Sequence, residues 1–217
     1  MKKQEYDKKI ILYALIPGLG QFKNGQKEKG AIFLTIFGLF CLESAFFGIN
    51  ALQELITLGS EPGIDNSMFL MVRGTLQLLI TLIFVGFYVS QIRDAIKVNK
   101  NKTIGLPIAT GFTGIKGSLA THGFPYLLTF PAYILMIFTI VLPVLVTLFM
   151  AFTNYDFNHI PPAALIDWIG IQNFKDMFFL SSYRSTFMAV FSWTLIWTLI
   201  ASTLQIILGV FTATVAH

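Results

Sequence analysis

The chain has 217 residues, 55% of them apolar and only 12% charged, with 22 phenylalanines, a mean hydropathy of +0.71 and a formal net charge of +4. A soluble domain of this length carries about twice that charged fraction, so the composition excludes a soluble globular enzyme and a disordered tail. A membrane protein is expected, provided that the apolar residues gather into runs of roughly 20, the length of helix that crosses about 30 Å of hydrocarbon.

In chain order, Met1 to Lys9 is polar and charged and is followed by neither a clean apolar core nor a small-residue cleavage site, so no cleaved signal is expected. The apolar piece Ile10 to Phe22 is too short to cross, and Pro17, Gly18 and Gly20 break a continuous helix. It is expected at the interface or as a half-helix. Four spans follow, at about 30 to 51, 68 to 90, 125 to 152 and 186 to 211. Asp, Glu, Lys and Arg are absent from 74–92, 117–155 and 185–217, and 30–52 carries only Glu43.

Basic residues of short loops are retained on the cytoplasmic side. Lys2, Lys3, Lys8, Lys9, Lys23, Lys27 and Lys29 precede the first span, and Arg93, Lys97, Lys100, Lys102 and Lys116 lie between the second and third. The loop 53–67 has none, and the loop 153–184 is slightly acidic. The pattern predicts both termini inside. It divides the chain into a cytoplasmic amino terminus with an interfacial segment (1–29), a transmembrane hairpin (30–90), a cytoplasmic loop (91–124) and a second pair of spans (125–217) with an outer loop at 153–185.

The basic charges are spread over two cytoplasmic segments without interleaved aromatics, so topology explains them and no nucleic-acid partner is expected. Cys41 sits alone inside the first span, which precludes an intramolecular disulfide, and is read as a packing residue. His122, His159 and His217 stand far apart with no ligand spacing, and no metal site is expected. The stretch Pro17-Gly18-Leu19-Gly20 lacks the third glycine and the acidic residue of a dinucleotide fingerprint. There is no phosphate-binding G-x-x-x-x-G-K-[ST], no G-x-S-x-G and no H-E-x-x-H. The sequence thus offers no catalytic residues and no cofactor site.

Ionisable residues within spans are costly enough to be functional candidates, and there are two. Glu43 lies about 12 Å below the outer end of the first span and Arg73 about 8 Å below that of the second, at 1.5 Å per residue, so an ion pair across the hairpin is one reading. The other has Arg73 reaching to the interface and Glu43 neutral or facing another helix. In the third span Pro131 and Pro143 each remove a backbone hydrogen bond and predict kinks. In the fourth, Ser192, Thr194, Thr198, Ala201, Ser202, Gln205 and Gly209 form either a packing face or the lining of a polar path. The outer loop combines Asn154-Tyr155-Asp156, Pro161-Pro162, Trp168 and 169–174; short helices on the membrane surface are expected, with Trp168, Phe174 and Phe178 as interfacial anchors.

The run Leu148-Phe149-Met150-Ala151-Phe152-Thr153-Asn154-Tyr155-Asp156, followed by Pro161-Pro162, Asp167-Trp168-Ile169-Gly170 and Gln172-Asn173-Phe174, closely resembles the permease subunits of maltose and maltodextrin ABC importers, the MalF-like family. The likeness reaches into Ser192-Trp193-Thr194. Pro17-Gly18-Leu19-Gly20-Gln21-Phe22, with Asn24-Gly25-Gln26 and Gly30, is similar to the start of the Gram-positive members. The resemblance implies an all-α integral membrane fold, the first part of a binding-protein-dependent (MetI-like) permease, whose core begins at the third span. It implies a second permease subunit, a pair of cytoplasmic ATPase subunits, an extracellular solute-binding protein and an oligosaccharide substrate, all within membrane lipid.

The family's ATPase-docking loop, with its EAA-type signature, has no counterpart here, so the chain is expected to be an amino-terminal portion. Most of the family's sugar-contacting residues likewise have no position here, and no substrate-binding residue is assigned. Asp156, Asp167 and Asn173 are the candidates for binding-protein contact. Two rivals stand beside this reading: a self-contained four-span scaffold protein without transport activity, and an intramembrane enzyme, for which no carboxylate pair, nucleophile or metal cluster lies within the spans.

Overall fold

The computed structural model of the protein describes residues 7–108, 110, 117 and 123–215. Among them the secondary structure is helical apart from one isolated bridge, Thr153 to Trp168. Among the described residues four helices are long and apolar enough to cross a membrane: Lys27–Thr57, Ser67–Thr103, Leu128–Met150 and Ser181–Val215. The chain divides into two units, Met1–Phe149 with Tyr155–Ile166, and Met150–Asn154 with Asp167–His217.

The first unit opens with two short helices, α1 (Lys9–Ala14) and α2 (Leu19–Asn24). Between them Pro17 lacks a donor and Gly18 takes φ +95°, with the Gly30 carbonyl so close that no side chain fits at Gly18. The expected break thus falls at Pro17 and Gly18 as a tight turn that lets α2 fold back, whereas Gly20, also expected to break the helix, lies buried inside α2, where a Cβ would come within 2.9 Å of Ala95. Gly25, left-handed at φ +91°, ends α2.

The next membrane helix is α3 (Lys27–Glu43), a π-helical turn at Ser44–Gly48, then α4 (Ile49–Thr57). Leu58, fully buried and left-handed at φ 54°, stops it, its N–H on the Glu54 carbonyl at 2.8 Å. Asn66 then caps α5 (Ser67–Thr103), its side chain accepting from the N–H groups of Met68 and Phe69 at 3.1 and 3.3 Å. Aromatic rings join α3 to α5: Phe40 stacks on Phe84 at 3.7 Å and Phe33 meets Phe87 edge-on at 5.3 Å. Small residues join α4 to α5, because a Cβ on Gly74 would collide with Leu55 and come within 2.7 Å of the Ala51 carbonyl.

At 37 residues, α5 is about 55 Å long, well beyond the hydrocarbon thickness. The segment expected as a loop from residue 91 begins instead as helix and carries Arg93, Asp94 and Lys97 on it. It stays helical because Ala95, with Ile92 and Ile96 beside it, packs on Ile10 and Ala14 of α1.

The third span is α6 (Phe124–Met136), a π-helical turn at Ile137–Val141 and α7 (Leu142–Met150). Pro131 lies inside α6. The wide turn ends just ahead of Pro143 and leaves it in the first turn of a new helical segment, where a missing N–H is tolerated. In the second unit, α8 (Gln172–Phe179) precedes α9 (Ser181–Val215), in which no residue is buried. Cys41, read as a packing residue, lies exposed on α3 instead, a position where its small apolar side chain suits a lipid-facing surface.

Candidate functional site

Three polar assemblies stand out among the described residues. The first is in the hairpin. The structure does not bring Glu43 and Arg73 together: Arg73 Nη1 pairs with Glu54 Oε1 at 3.0 Å, and Glu43 Oε2 accepts from Gln77 Nε2 at 3.1 Å and from Ser44 Oγ at 3.4 Å. The reason is register. Close contact at Gly74 and Ala51 sets α4 against α5 so that Arg73 faces the last turn of α4, and Gln77, one turn deeper, faces the π-helical turn. Gly48 in that turn leaves the space that Gln77 fills, since a Cβ there would lie 2.6 Å from Gln77 Nε2.

The second assembly clamps the amino-terminal helices onto α5. Gln21, fully buried, donates to the Gln91 carbonyl at 3.0 Å and to Asp94 Oδ2 at 3.2 Å; Gln91 donates back to the Ala14 carbonyl at 2.7 Å. Asn24 donates to the Ala95 carbonyl at 2.8 Å, and Tyr88 to the Leu15 carbonyl at 2.8 Å. Lys29 closes on Asp94 Oδ1 at 2.6 Å. Amide side chains suit this task because each joins one element's side chain to another's backbone without a net charge. The sequence held a signal for this clamp, since Gln91, Ala95 and Asn99 recur every fourth residue on one helix face.

The third assembly is in the segment between the third and fourth spans. In the first unit, Tyr155–Ile166 lies on the α4–α5 loop: Gly63 N–H donates to the Pro162 carbonyl at 2.7 Å, and Ile166 N–H to Ser67 Oγ at 3.1 Å, with Ile166 and Ser67 fully buried. Asp65 organises that loop by accepting from the N–H groups of Ser60 and Glu61 at 2.7 and 3.0 Å. Chiefly the Ser60 N–H holds the Asp65 carboxyl below the ordinary aspartate range. Asp156 accepts from His159 Nδ1 at 2.8 Å and from the N–H groups of Asn158 and His159. The His159 side chain is the main cause of its lowered pKa.

In the second unit the same segment forms a clip. Asn154 and Asp167 exchange hydrogen bonds at 3.1 and 2.7 Å, and Ile169 N–H donates to the Phe152 carbonyl at 2.9 Å. Gly170, left-handed at φ +62°, turns the chain into α8. From α8, Asn173 Nδ2 reaches back to the carbonyls of Ala151 and Thr153 at 3.0 and 2.7 Å, and Phe174 packs on Phe152 with ring centroids 5.3 Å apart. Of the three candidate contact residues, Asn173 thus has both amide protons committed inside the clip, Asp167 keeps an exposed carboxylate, and Asp156 belongs to the first unit. Beside the clip, α8 and α9 enclose an open groove of about 510 Å³ where Tyr183 and Phe187 stand near Asp176 and Asn173. Of the three aromatics expected at the interface, Trp168 and Phe178 are exposed and Phe174 is half-buried against Phe152.

A multi-pass α-helical membrane protein without a cluster of metal-ligating groups among its described residues is therefore what the fold defines. Comparison with known proteins places it further. The chain is 54% identical over 206 residues, 95% of its length, to the maltodextrin transport system permease protein MdxF of Bacillus subtilis, covering 47% of that protein. It is 46% identical over its whole length to the maltodextrin transport system permease protein MalC of Streptococcus pneumoniae, covering 50% of it. It is also 38% identical over 213 residues to the galactooligosaccharides transport system permease protein GanP of Bacillus subtilis. In sequence the chain is thus similar to sugar-transport permease proteins, and it spans about half the length of the curated relatives it matches. No protein-family model matches the chain, and no solved structure matches it.

Proposed function

We propose that this chain forms part of the permease subunit of an ABC importer for maltodextrin or a related oligosaccharide, seated in the cell membrane. The observation that carries the reading is the 54% and 46% identity to two maltodextrin permease proteins along nearly the whole chain. On this reading residues 125–217 begin the translocation core and 30–90 form a hairpin added ahead of it. A second permease subunit completes the path, an extracellular solute-binding protein delivers the sugar, and ATP hydrolysis falls to separate cytoplasmic subunits. The chain's own part is to build the wall of the path and its mouth. The α8–α9 groove supports a carbohydrate reading in its chemistry, since the aromatic faces of Tyr183 and Phe187 suit a pyranose ring and Asp176 suits its hydroxyls.

The test is uptake of labelled maltotriose by cells in which the codons for 125–217 are disrupted. Uptake is expected to fall to background while glucose uptake is unchanged, and undiminished maltotriose uptake would refute the reading. The 38% identity to a galactooligosaccharide permease favours a second substrate class; loss of galactooligosaccharide uptake with maltotriose uptake intact would select it.

A further inference from the structure

Three stretches of backbone converge on Asn99. Its Oδ1 accepts the Asp7 N–H at 3.0 Å, and its Nδ2 donates to Asn24 Oδ1 at 3.0 Å, while Asn24 in turn holds the Ala95 carbonyl. Each stretch carries exposed lysines. Lys8 and Lys9 stand at the start of α1, Lys23 and Lys27 at either side of the α2–α3 turn, and Lys102 at the end of α5, its Nζ donating to the Lys23 carbonyl at 3.4 Å.

The acidic groups beside them offset them only in part. Asp94 is taken by Lys29 at 2.6 Å, while Asp7, which accepts the Lys9 backbone N–H at 3.0 Å, and Glu28 keep their charges against the five lysines.

Next to this basic cluster lies an apolar surface. The helix α1 turns Ile10 and Ala14 inward onto Ala95 and leaves Leu12 68% and Leu15 52% exposed. Lys23 Nζ sits 5.2 Å from the Tyr13 ring centroid, so cation and apolar face adjoin. The arrangement is built rather than trailing, because the buried amides of Gln21, Asn24 and Gln91 fix α1 and α2 to α5.

We propose that the α1–α2 module is a binding site for the headgroup of an anionic phospholipid, with the lysines on the phosphate and the outward face of α1 in the acyl boundary. A soluble polyanion would satisfy the lysines and leave Leu12 and Leu15 in water; a zwitterionic lipid would cover the leucines and leave the positive charge unbalanced. An anionic bilayer surface meets both demands at once.

The experiment is native mass spectrometry of the full 217-residue chain, released from detergent with equal amounts of phosphatidylglycerol and phosphatidylcholine of the same acyl chains. Phosphatidylglycerol is expected to be retained in preference. Replacing Lys8, Lys9, Lys23 and Lys27 together by glutamine should lower that retention by about tenfold or more, whereas the same four changed to arginine should keep it. Lys175→Gln, outside the module, should change nothing. Equal retention of the two lipids, or an unaltered preference in the glutamine variant, would overturn the proposal. Displacement of the lipid by millimolar glycerol phosphate would overturn it too, by assigning the lysines to a soluble anion.

Discussion

Asn173 shows how one side chain decides between a structural and a partner-binding role. Its amide spans two carbonyls, and Thr153, whose carbonyl it holds, is 1% exposed. Asn173→Ala would leave both acceptors without their donor, at a cost of about 1–3 kcal/mol. Amide exchange at Asn154, Asp167 and Ile169 is therefore expected to speed up by about tenfold or more, with α3 and α5 unaffected. Unchanged exchange would show that the clip does not depend on Asn173 and would return it to the role of a partner contact. Two carboxylates in the loops carry a pH signature. The pKa values of Asp65 and Asp156 are lowered from 3.8, by the Ser60 N–H and the His159 side chain first. A lowered folded pKa means that the contribution is complete above 3.8 and is lost as pH falls through the folded value. Exchange at Ser60 and Glu61 is thus expected to rise only below pH 3.8, and Asp65→Asn to abolish that dependence while Asp156→Asn leaves it in place.

Helix against helix, the hairpin depends on glycines whose roles differ by position. Gly74 has the Ala51 carbonyl and Leu55 where a Cβ would go, whereas Gly86 in the same helix has open space. Gly74→Ala is expected to destabilise the hairpin by about 1–3 kcal/mol through overpacking. Gly86→Ala should be neutral or slightly stabilising, since alanine is the better helix former. Thermal unfolding of the two variants in detergent checks the contrast, and equal effects would show that the α4–α5 contact is not the controlling one. The ion pair is a matter of the same register. If Arg73 answers to Glu54, reversing both charges should restore the membrane-inserted yield lost by either single reversal, and the reversal of Glu43 with Arg73 should not. The sequence placed both ionisable residues within spans yet could not fix their partners, because the offset between α4 and α5 comes from small-residue contact, which leaves no charge pattern. It likewise ended the second span near residue 90, where hydropathy falls, although Ala95 and the amides of Gln91 and Asn99 keep the helix going against α1 and α2.

Across the molecule, the spans were legible because a run of twenty apolar residues has few alternatives in lipid, and the break at Pro17 and Gly18 because proline and glycine act locally. The clip was legible only as a motif, since its bridge and its Asn173 contacts join residues that are far apart in the sequence. What neither composition nor spacing could show is how α9 handles its polar residues. Thr194, Thr203, Thr212 and Thr214 each turn a hydroxyl onto the carbonyl four residues back, at 2.7 or 2.8 Å, so these side chains make no demand on a neighbour. Gln205 is different: it is exposed on the helix, and its amide has two donors and an acceptor that a hydroxyl's back-bond cannot replace. In lipid such a group costs free energy until another helix pairs with it, and interhelical hydrogen bonds of this kind contribute about 1 kcal/mol. Gln205→Leu should therefore act with opposite signs in two settings. Expressed alone, the chain is expected to gain protease resistance in the membrane from the substitution. On the proposed reading, in which another subunit's helix covers α9, the same change made in the whole importer is expected to lower oligosaccharide uptake or the yield of complex. A gain in both settings would mean that Gln205 faces lipid throughout and takes no part in assembly.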